Sequence, residues 1–369
     1  MFKVKFPSRG HKFSKAQIEA VSKFMRDTNH GLTQSIHLTE FEKKFSDKFN
    51  LGATLAISNA ASGFHLLADL LHIKANEEIV CPAHTYCASA YPFLKYGAKL
   101  KWADINPETR VADADYLLEA VTKKTRVIIA VHLYGFLIDL TKVRQFCDER
   151  NIVLIEDCAQ SIGANLNGKF AGYWGDFSLF SFQSQKNITT LGEGGMLVVN
   201  NRQVSSFEDL KRLRHNGHIP FKNQKKYWVP AMVNVEPSFS EQGLVTPQNY
   251  CLSEVQCMLG AMLLDEVETF NNLRRELAMD IIKCAGNSSI FKFHKVNTRQ
   301  HAYHLLVAQV PEPARDTIIE KFNNIGIQVI VQYYPLYKYD LFKAYDAQKI
   351  RLENTEKFFN SMKMTRYIK

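Results

Sequence analysis

No apolar run in the 369 residues approaches the ~20 residues of a membrane span, and the start, MFKVKFPSRGHKFSKAQ, lacks the roughly 7 to 15 residue apolar stretch of a signal peptide. A soluble, untargeted protein with no membrane partner is expected. Cysteine is sparse and odd in number: seven, at 81, 87, 147, 158, 251, 257 and 284, without a CxxC pair. That spacing argues against a disulfide framework and a zinc site, so no metal is expected and the cytoplasm fits best. Internal repeats and low-complexity tracts are also missing. With 46% hydrophobic and 22% charged residues the chain has the composition of a globular enzyme.

The formal charge of +9 steers nucleic acid, membranes and anionic small molecules alike and selects none of them. The one basic and aromatic patch, FKNQKKYW with Lys222, Lys225 and Lys226, is too short for a strand-binding groove, so no nucleic-acid partner is expected.

From about residue 54 to 200, short β-rich apolar segments alternate with amphipathic stretches of helical length, as in a parallel α/β sheet. Strands are predicted at 54–57, 78–81, 99–103, 126–132, 152–156, 177–182 and 196–200. Helices are predicted at 63–71, 89–95, 115–121 and 140–151. Two helices, 15–26 and 38–49, precede the sheet. Residues 216–248 are polar, aromatic and too long for an ordinary connection. Beyond them, 252–278 carries the spacing of one long helix, followed by strand 303–309, helix 316–324 and strand 328–332. The pattern divides into a large lobe, 1–245, and a smaller α+β lobe, 246–369, which includes the long linking helix.

Lys186 follows an apolar strand and precedes the run Gly192-Glu193-Gly194-Gly195. Flanking Phe180, Phe182 and Ile188 would desolvate its ammonium, as a Schiff-base lysine requires. An exposed loop lysine beside a turn is the alternative. In IVLIEDCAQSIGA, four aliphatic residues lead to Glu156-Asp157 at the carboxyl end of a buried strand, where open α/β sheets bind ligands. Asp157 there either holds a cofactor's ring nitrogen protonated or caps a helix. SNAASGFHLL (58–67) opens a helix with small residues, which suits an anion or a plain structural turn. Tyr86, after another strand, either lies over a flat ring or packs in the core.

Together these motifs resemble the DegT/DnrJ/StrS group of sugar aminotransferases, pyridoxal-phosphate (PLP) enzymes of fold type I. The resemblance runs from about Gly31 to Lys357. FSFQSQKNITTLGEGG meets the group's lysine motif with one extra residue before GEGG. Glu156 to Gln160 meet its acidic motif, Asn59 to His65 its phosphate loop, and Asn249 to Leu252 its long-helix motif. The resemblance implies a large domain with a mostly parallel seven-stranded sheet flanked by helices, and a smaller α+β domain. It implies that Lys186 carries PLP and moves a proton during transfer, that Asp157 pairs with the ring nitrogen, and that Gln160 lies near the phenolic oxygen. Tyr86 would stack, Ala61, Ser62 and Ser181 would hold the phosphate, and Asn249 would reach it from a second subunit of a homodimer. Glutamate is the implied donor and a nucleotide-linked keto-sugar the implied acceptor, with His304, Arg214 and His215 as candidate acceptor contacts. Lys186 argues against the group's sugar dehydratases, which carry histidine there.

The chain departs from the group in three places. Gln183 stands where many members have histidine or tyrosine, residues 216–248 do not align, and the sequence stops at Lys369, short of the usual end. Gln183 keeps open a cyclitol or small phosphorylated ketone as acceptor, and a PLP-binding protein without turnover is the reading from a different class.

Overall fold

Runs of β-branched and aliphatic residues become the strands of one central sheet. The computed structural model describes residues 3–4, 12–200, 206–219, 221, 233–236, 238–240, 243–286, 288–294, 298–345 and 351–365. The strands are β1 (Ala53–Ile57), β2 (Glu78–Pro82), β3 (Lys99–Ala103), β4 (Thr125–Val131), β5 (Val153–Asp157), β6 (Phe177–Ser181) and β7 (Gly195–Val199). Their order is β1-β7-β6-β5-β4-β2-β3. Every contact from β6 through β3 is parallel, while β7 runs antiparallel to both neighbours. All five residues of β5 are buried, as expected for a strand covered on both faces. The parallel strands therefore deliver Pro82, Val131, Asp157 and Ser181 to one edge.

Helices α1 (Lys15–Arg26), α2 (Ile36–Phe49), α3 (Ala60–Leu70), α4 (Ala114–Glu119), α5 (Thr141–Arg150) and α6 (Phe207–Arg214) follow in chain order. Ser14 and Gln17 form a capping box at α1. Leu38, Phe41, Phe45 and Phe49 make the buried stripe of α2. Phe45 meets Phe180 of β6 edge-on at 4.9 Å. Next come α7 (Glu254–Leu264) and α8 (Val267–Ala285). Gly260 lets α7 press on α2, since a Cβ there would sit 2.6 Å from the Phe41 ring.

Ser35, at the N-cap of α2, makes no side-chain cap bond. The fully buried Glu254 carboxylate replaces it, accepting from the amides of Ser35 (2.6 Å), His37 (2.7 Å) and Leu38 (3.3 Å). Glu254→Ala strips three amides of their acceptor and is expected to cost about 3 kcal/mol, read from urea denaturation. A loss below about 1 kcal/mol would mean water replaces the carboxylate there.

After α8 the chain forms β8 (Lys292–Phe293), β9 (Leu306–Gln309), α9 (Arg315–Asn324), α10 (Asp340–Tyr345), α11 (Glu353–Ser361) and β10 (Met362–Thr365), with β8-β9-β10 an antiparallel sheet. Asp104, just past β3, accepts from the Asn354 and Thr355 amides at 3.0 and 2.8 Å, so α11 is tied to the main sheet.

Three predicted elements differ from the structure. The helix expected at 89–95 is a pair of 3-10 turns, Cys87–Ser89 and Tyr91–Tyr96, the second holding Pro92, which has no amide hydrogen. The single helix expected at 252–278 breaks at Asp265 and Glu266, whose carboxylates bind Lys44 of α2 and Gln17 of α1 at 2.7 and 2.6 Å. The strand expected at 328–332 does not form: Gln328 donates to the Val4 carbonyl beside an isolated bridge between Val4 and Ile327, and Gln332 lines a cavity. Of residues 216–248, the described parts make two short antiparallel pairs. Lys222, Lys225 and Lys226 lie outside the described residues. Among the described residues no helix is long and apolar enough to cross a membrane, and all seven cysteines are free thiols.

Burial holds the His84 and His294 imidazoles down to about 3. Unfolded, they would titrate near 6.5. Between those values the unfolded chain binds more protons, so these histidines contribute full stability above pH 6.5 and lose it as pH falls. Each is expected to remove up to ~1.4 kcal/mol per pH unit, checked by denaturation midpoints at neutral and mildly acidic pH. A flat or rising profile would contradict this.

Candidate active site

The carboxyl edge of the sheet opens into a cavity of about 440 Å³ that Lys186, Asp157, Gln160, Tyr86, Ala61 and Ser181 all line. Asp157 ends β5 and is buried. Its Oδ2 accepts from the Ser89 hydroxyl at 2.6 Å and its Oδ1 from the Ala159 amide at 3.0 Å, so two donors fix its plane. Lys186 sits in the turn after β6, its amide donating to the Gln183 carbonyl at 2.8 Å. The next residue anchors that turn: Asn187 Nδ2 donates to Asn271 Oδ1 and the Ala302 carbonyl, and its Oδ1 faces His304 Nδ1 at 3.0 Å.

The N-terminus of α3 supplies Asn59, Ala60 and Ala61 to the wall. Asn59 caps the helix by accepting from the Ser62 amide at 2.8 Å. This places Ser62 inside the cap, with the amides of Ala60 and Ala61 preceding it. Gly195 permits the packing, as a Cβ there would lie 2.8 Å from the Asn59 carbonyl carbon. Tyr86 is 59% exposed and lines the cavity, where an aromatic ring can meet a flat ligand.

Gln160 is committed on both ends. Its Oε1 accepts from the Tyr134 amide at 2.6 Å, and its Nε2 donates to the Tyr333 hydroxyl at 2.9 Å. Tyr333 and Gln332 bring the C-terminal half of the chain to the cavity, held there by a 2.9 Å bond from the Tyr134 hydroxyl to the Gln332 carbonyl. In the cavity wall His132 Nδ1 accepts from the Ile138 amide, which puts the ring proton on Nε2, 2.8 Å from Glu156. Cys158 converges on this pair, but the Glu156 oxygens already accept from the Gly172 and Gly175 amides. Glu193 stands at the cavity mouth, its carboxyl pushed up by desolvation and drawn back by the Lys186 charge.

The remaining predicted residues fall outside the cavity. Arg214 is buried, pairing with Glu42 at 2.7 Å and donating to the Ala56 carbonyl. His304 holds Asn187 in place, and His215 stacks edge-on with His218 at 4.6 Å. Asn249 is exposed and bridges His215. Ser89, His132, Glu193, Gln332 and Tyr333 were not anticipated. His132 carries the same signal as Asp157, a polar residue at the carboxyl end of a buried strand.

This donor set fits pyridoxal phosphate: one amine, one buried carboxylate, the amide-bearing end of α3, the Ser181 hydroxyl and an aromatic face.

Residues 12–364 match the DegT/DnrJ/EryC1/StrS aminotransferase family. The chain is 29% identical over 311 residues to a GDP-perosamine synthase of Vibrio cholerae, covering 83% of this chain and 79% of that one. It is 30% identical over 275 residues to an L-glutamine:2-deoxy-scyllo-inosose aminotransferase of Streptomyces kanamyceticus, covering 74% and 62% respectively. Among solved structures it matches Helicobacter pylori PseC, an aminotransferase involved in the biosynthesis of pseudoaminic acid, with TM-score 0.86 at 22% identity over 98% of this chain and 93% of that one. That likeness shows the fold.

Proposed function

This chain belongs to the DegT/DnrJ/EryC1/StrS aminotransferase family, whose members are PLP-dependent, and from that premise we propose that it moves an amino group from glutamate to a nucleotide-linked keto-sugar. The observation that carries the reading is the convergence of Lys186, Asp157 and the start of α3 on one cavity. Bound there, PLP supplies an electron sink for the pair left when an amino-acid Cα loses its proton.

The chain's own residues divide the remaining work. Lys186 takes the proton from the donor's Cα and returns it at the cofactor's aldehyde-derived carbon, then runs the reverse with the acceptor. Asp157 holds the ring-nitrogen proton, and Ser89 and the Ala159 amide keep its carboxylate in line. Ala60 and Ala61 amides with the Ser181 hydroxyl take the phosphate, while the Ser62 amide serves the helix cap. Tyr86 covers the ring, and Gln160 stands beside it. Asn249, exposed on its own subunit, belongs to the neighbour's phosphate site in a homodimer. The absence of a membrane-length helix among the described residues is compatible with a cytoplasmic enzyme.

A cyclitol acceptor is the second reading. Gln183 lines the cavity, and one relative is named L-glutamine:2-deoxy-scyllo-inosose aminotransferase. A panel of keto-sugar nucleotides, cyclitol ketones and small phosphorylated ketones, assayed with glutamate by 2-oxoglutarate release, separates these. Turnover on a keto-sugar nucleotide supports the first. Preference for cyclitols supports the second, and bound PLP without turnover on any acceptor overturns both.

A further inference from the structure

A stretch of the C-terminal half, residues 328–336, passes along the catalytic cavity and lends it Gln332 and Tyr333. Its ends are fixed through the backbone: the Gln328 amide donates to the Val4 carbonyl and the Leu336 amide to the Ala83 carbonyl, each at 2.8 Å. Between those anchors two side-chain bonds hold it. The Tyr134 hydroxyl donates to the Gln332 carbonyl at 2.9 Å, and Gln160 Nε2 donates to the Tyr333 hydroxyl at 2.9 Å. Both ties lead back to one residue, because the Tyr134 amide donates to Gln160 Oε1 at 2.6 Å.

Tyr134 is 1% exposed and holds φ +63°, a left-handed conformation that a bulky residue adopts only where its surroundings impose it. Here its own polar groups impose it. The amide is on Gln160, the carbonyl accepts from the Leu305 amide at 3.1 Å, and the hydroxyl donates to Gln332. That hydroxyl has a single proton, so the His84 Nε2 it also meets is the donor. The His84 ring in turn stands edge-on to the Tyr333 ring at 6.3 Å. A residue kept for packing alone has no need of this hydroxyl, since a phenyl ring would fill the same space without burying a polar group.

We propose that Tyr134 is a positioning residue for amino transfer: its amide orients Gln160 on the cofactor side of the cavity, and its hydroxyl sets Gln332 and Tyr333 on the acceptor side. The two walls thereby keep a fixed spacing. The acceptor part of this role rests on the reading of the cavity as a transaminase site.

The test is Tyr134→Phe, which deletes the hydroxyl and keeps the amide. In the PLP-loaded variant, hydrogen exchange read by mass spectrometry should run about tenfold faster in the peptide carrying residues 328–336, as for one lost hydrogen bond. The peptide carrying 153–164 should exchange at the parental rate. PLP affinity and the rate at which glutamate removes the cofactor's visible band should stay within about twofold of the parent, since the Gln160 bond is kept. Against keto-sugar nucleotides and cyclitol ketones, KM should rise about tenfold with kcat nearly unchanged. Unchanged exchange at 328–336, equal acceleration in both peptides, or a joint fall of the glutamate and acceptor steps overturns the proposal. If the parent turns over no ketone, the transaminase reading fails, while the exchange result still decides whether Tyr134 sets the wall. Should Tyr134→Phe not fold, Tyr333→Phe cuts the tie through Gln160 instead. Faster exchange confined to 328–336 then supports the proposal, and unchanged exchange overturns it.

Discussion

Lys186→Ala is expected to lower kcat/KM for amino transfer by at least about 10²–10⁴-fold, the contribution of a positioned proton-transfer group alone, and to remove the visible absorbance of the lysine-bound cofactor. The cause is local. Lys186 presents the amine of the cavity beside Asp157, and the backbone of its turn is fixed by bonds that do not involve its side chain, from the Lys186 amide to Gln183 and from Asn187 to Asn271 and Ala302. The variant should therefore fold, with a denaturation free energy within roughly 0.5 kcal/mol of the parent. Retained activity would remove Lys186 from the chemistry. Loss of activity together with loss of fold would assign it a structural role.

Asp157→Asn separates cofactor binding from cofactor function. Asparagine keeps the shape and can still accept from the Ala159 amide, but it loses the charge that holds a ring-nitrogen proton. PLP should remain bound, because the α3 terminus and Ser181 are untouched. Turnover should fall about 10²–10⁴-fold, the rate equivalent of the roughly 3–5 kcal/mol lost when one member of a buried pair is removed. Ser89→Ala, which deletes the 2.6 Å donor but not the charge, should cost only about tenfold, near one hydrogen bond. Near-parental turnover in Asp157→Asn, checked by glutamate-dependent 2-oxoglutarate release, would contradict the assignment.

Much of this geometry was legible because it follows short-range rules. The seven sheet strands were located within a residue or two, since uninterrupted aliphatic runs such as that of β5 mark strands covered on both faces. Lys186 and Asp157 stood out because one follows such a strand and the other ends one. What escaped notice depends on residues far apart in sequence. Ser89 reaches Asp157 across 68 residues and Tyr333 reaches Gln160 across 173, and no local pattern reports such meetings. The break between α7 and α8 is of the same kind, drawn by contacts of Asp265 and Glu266 with α2 and α1. Arg214 and His304 looked like substrate contacts because a polar residue near a strand end reads alike whether it faces a ligand or a buried partner. In the structure they bond to Glu42 and Asn187.

Acceptor choice is expected to depend on cavity residues that carry no cofactor role. Gln183 and Glu193 border the cavity from the β6–β7 connection, and Gln332 and Tyr333 face it from the C-terminal half. Exchanging these residues should move preference among ketone acceptors, while the cofactor site formed by Lys186, Asp157 and α3 stays intact.

The most direct test of the central claim is borohydride reduction of the PLP-loaded enzyme followed by peptide mass spectrometry. The pyridoxyl mass is expected on the peptide containing Lys186 and on no other. A label on a different lysine, or none after PLP is supplied, would contradict the account.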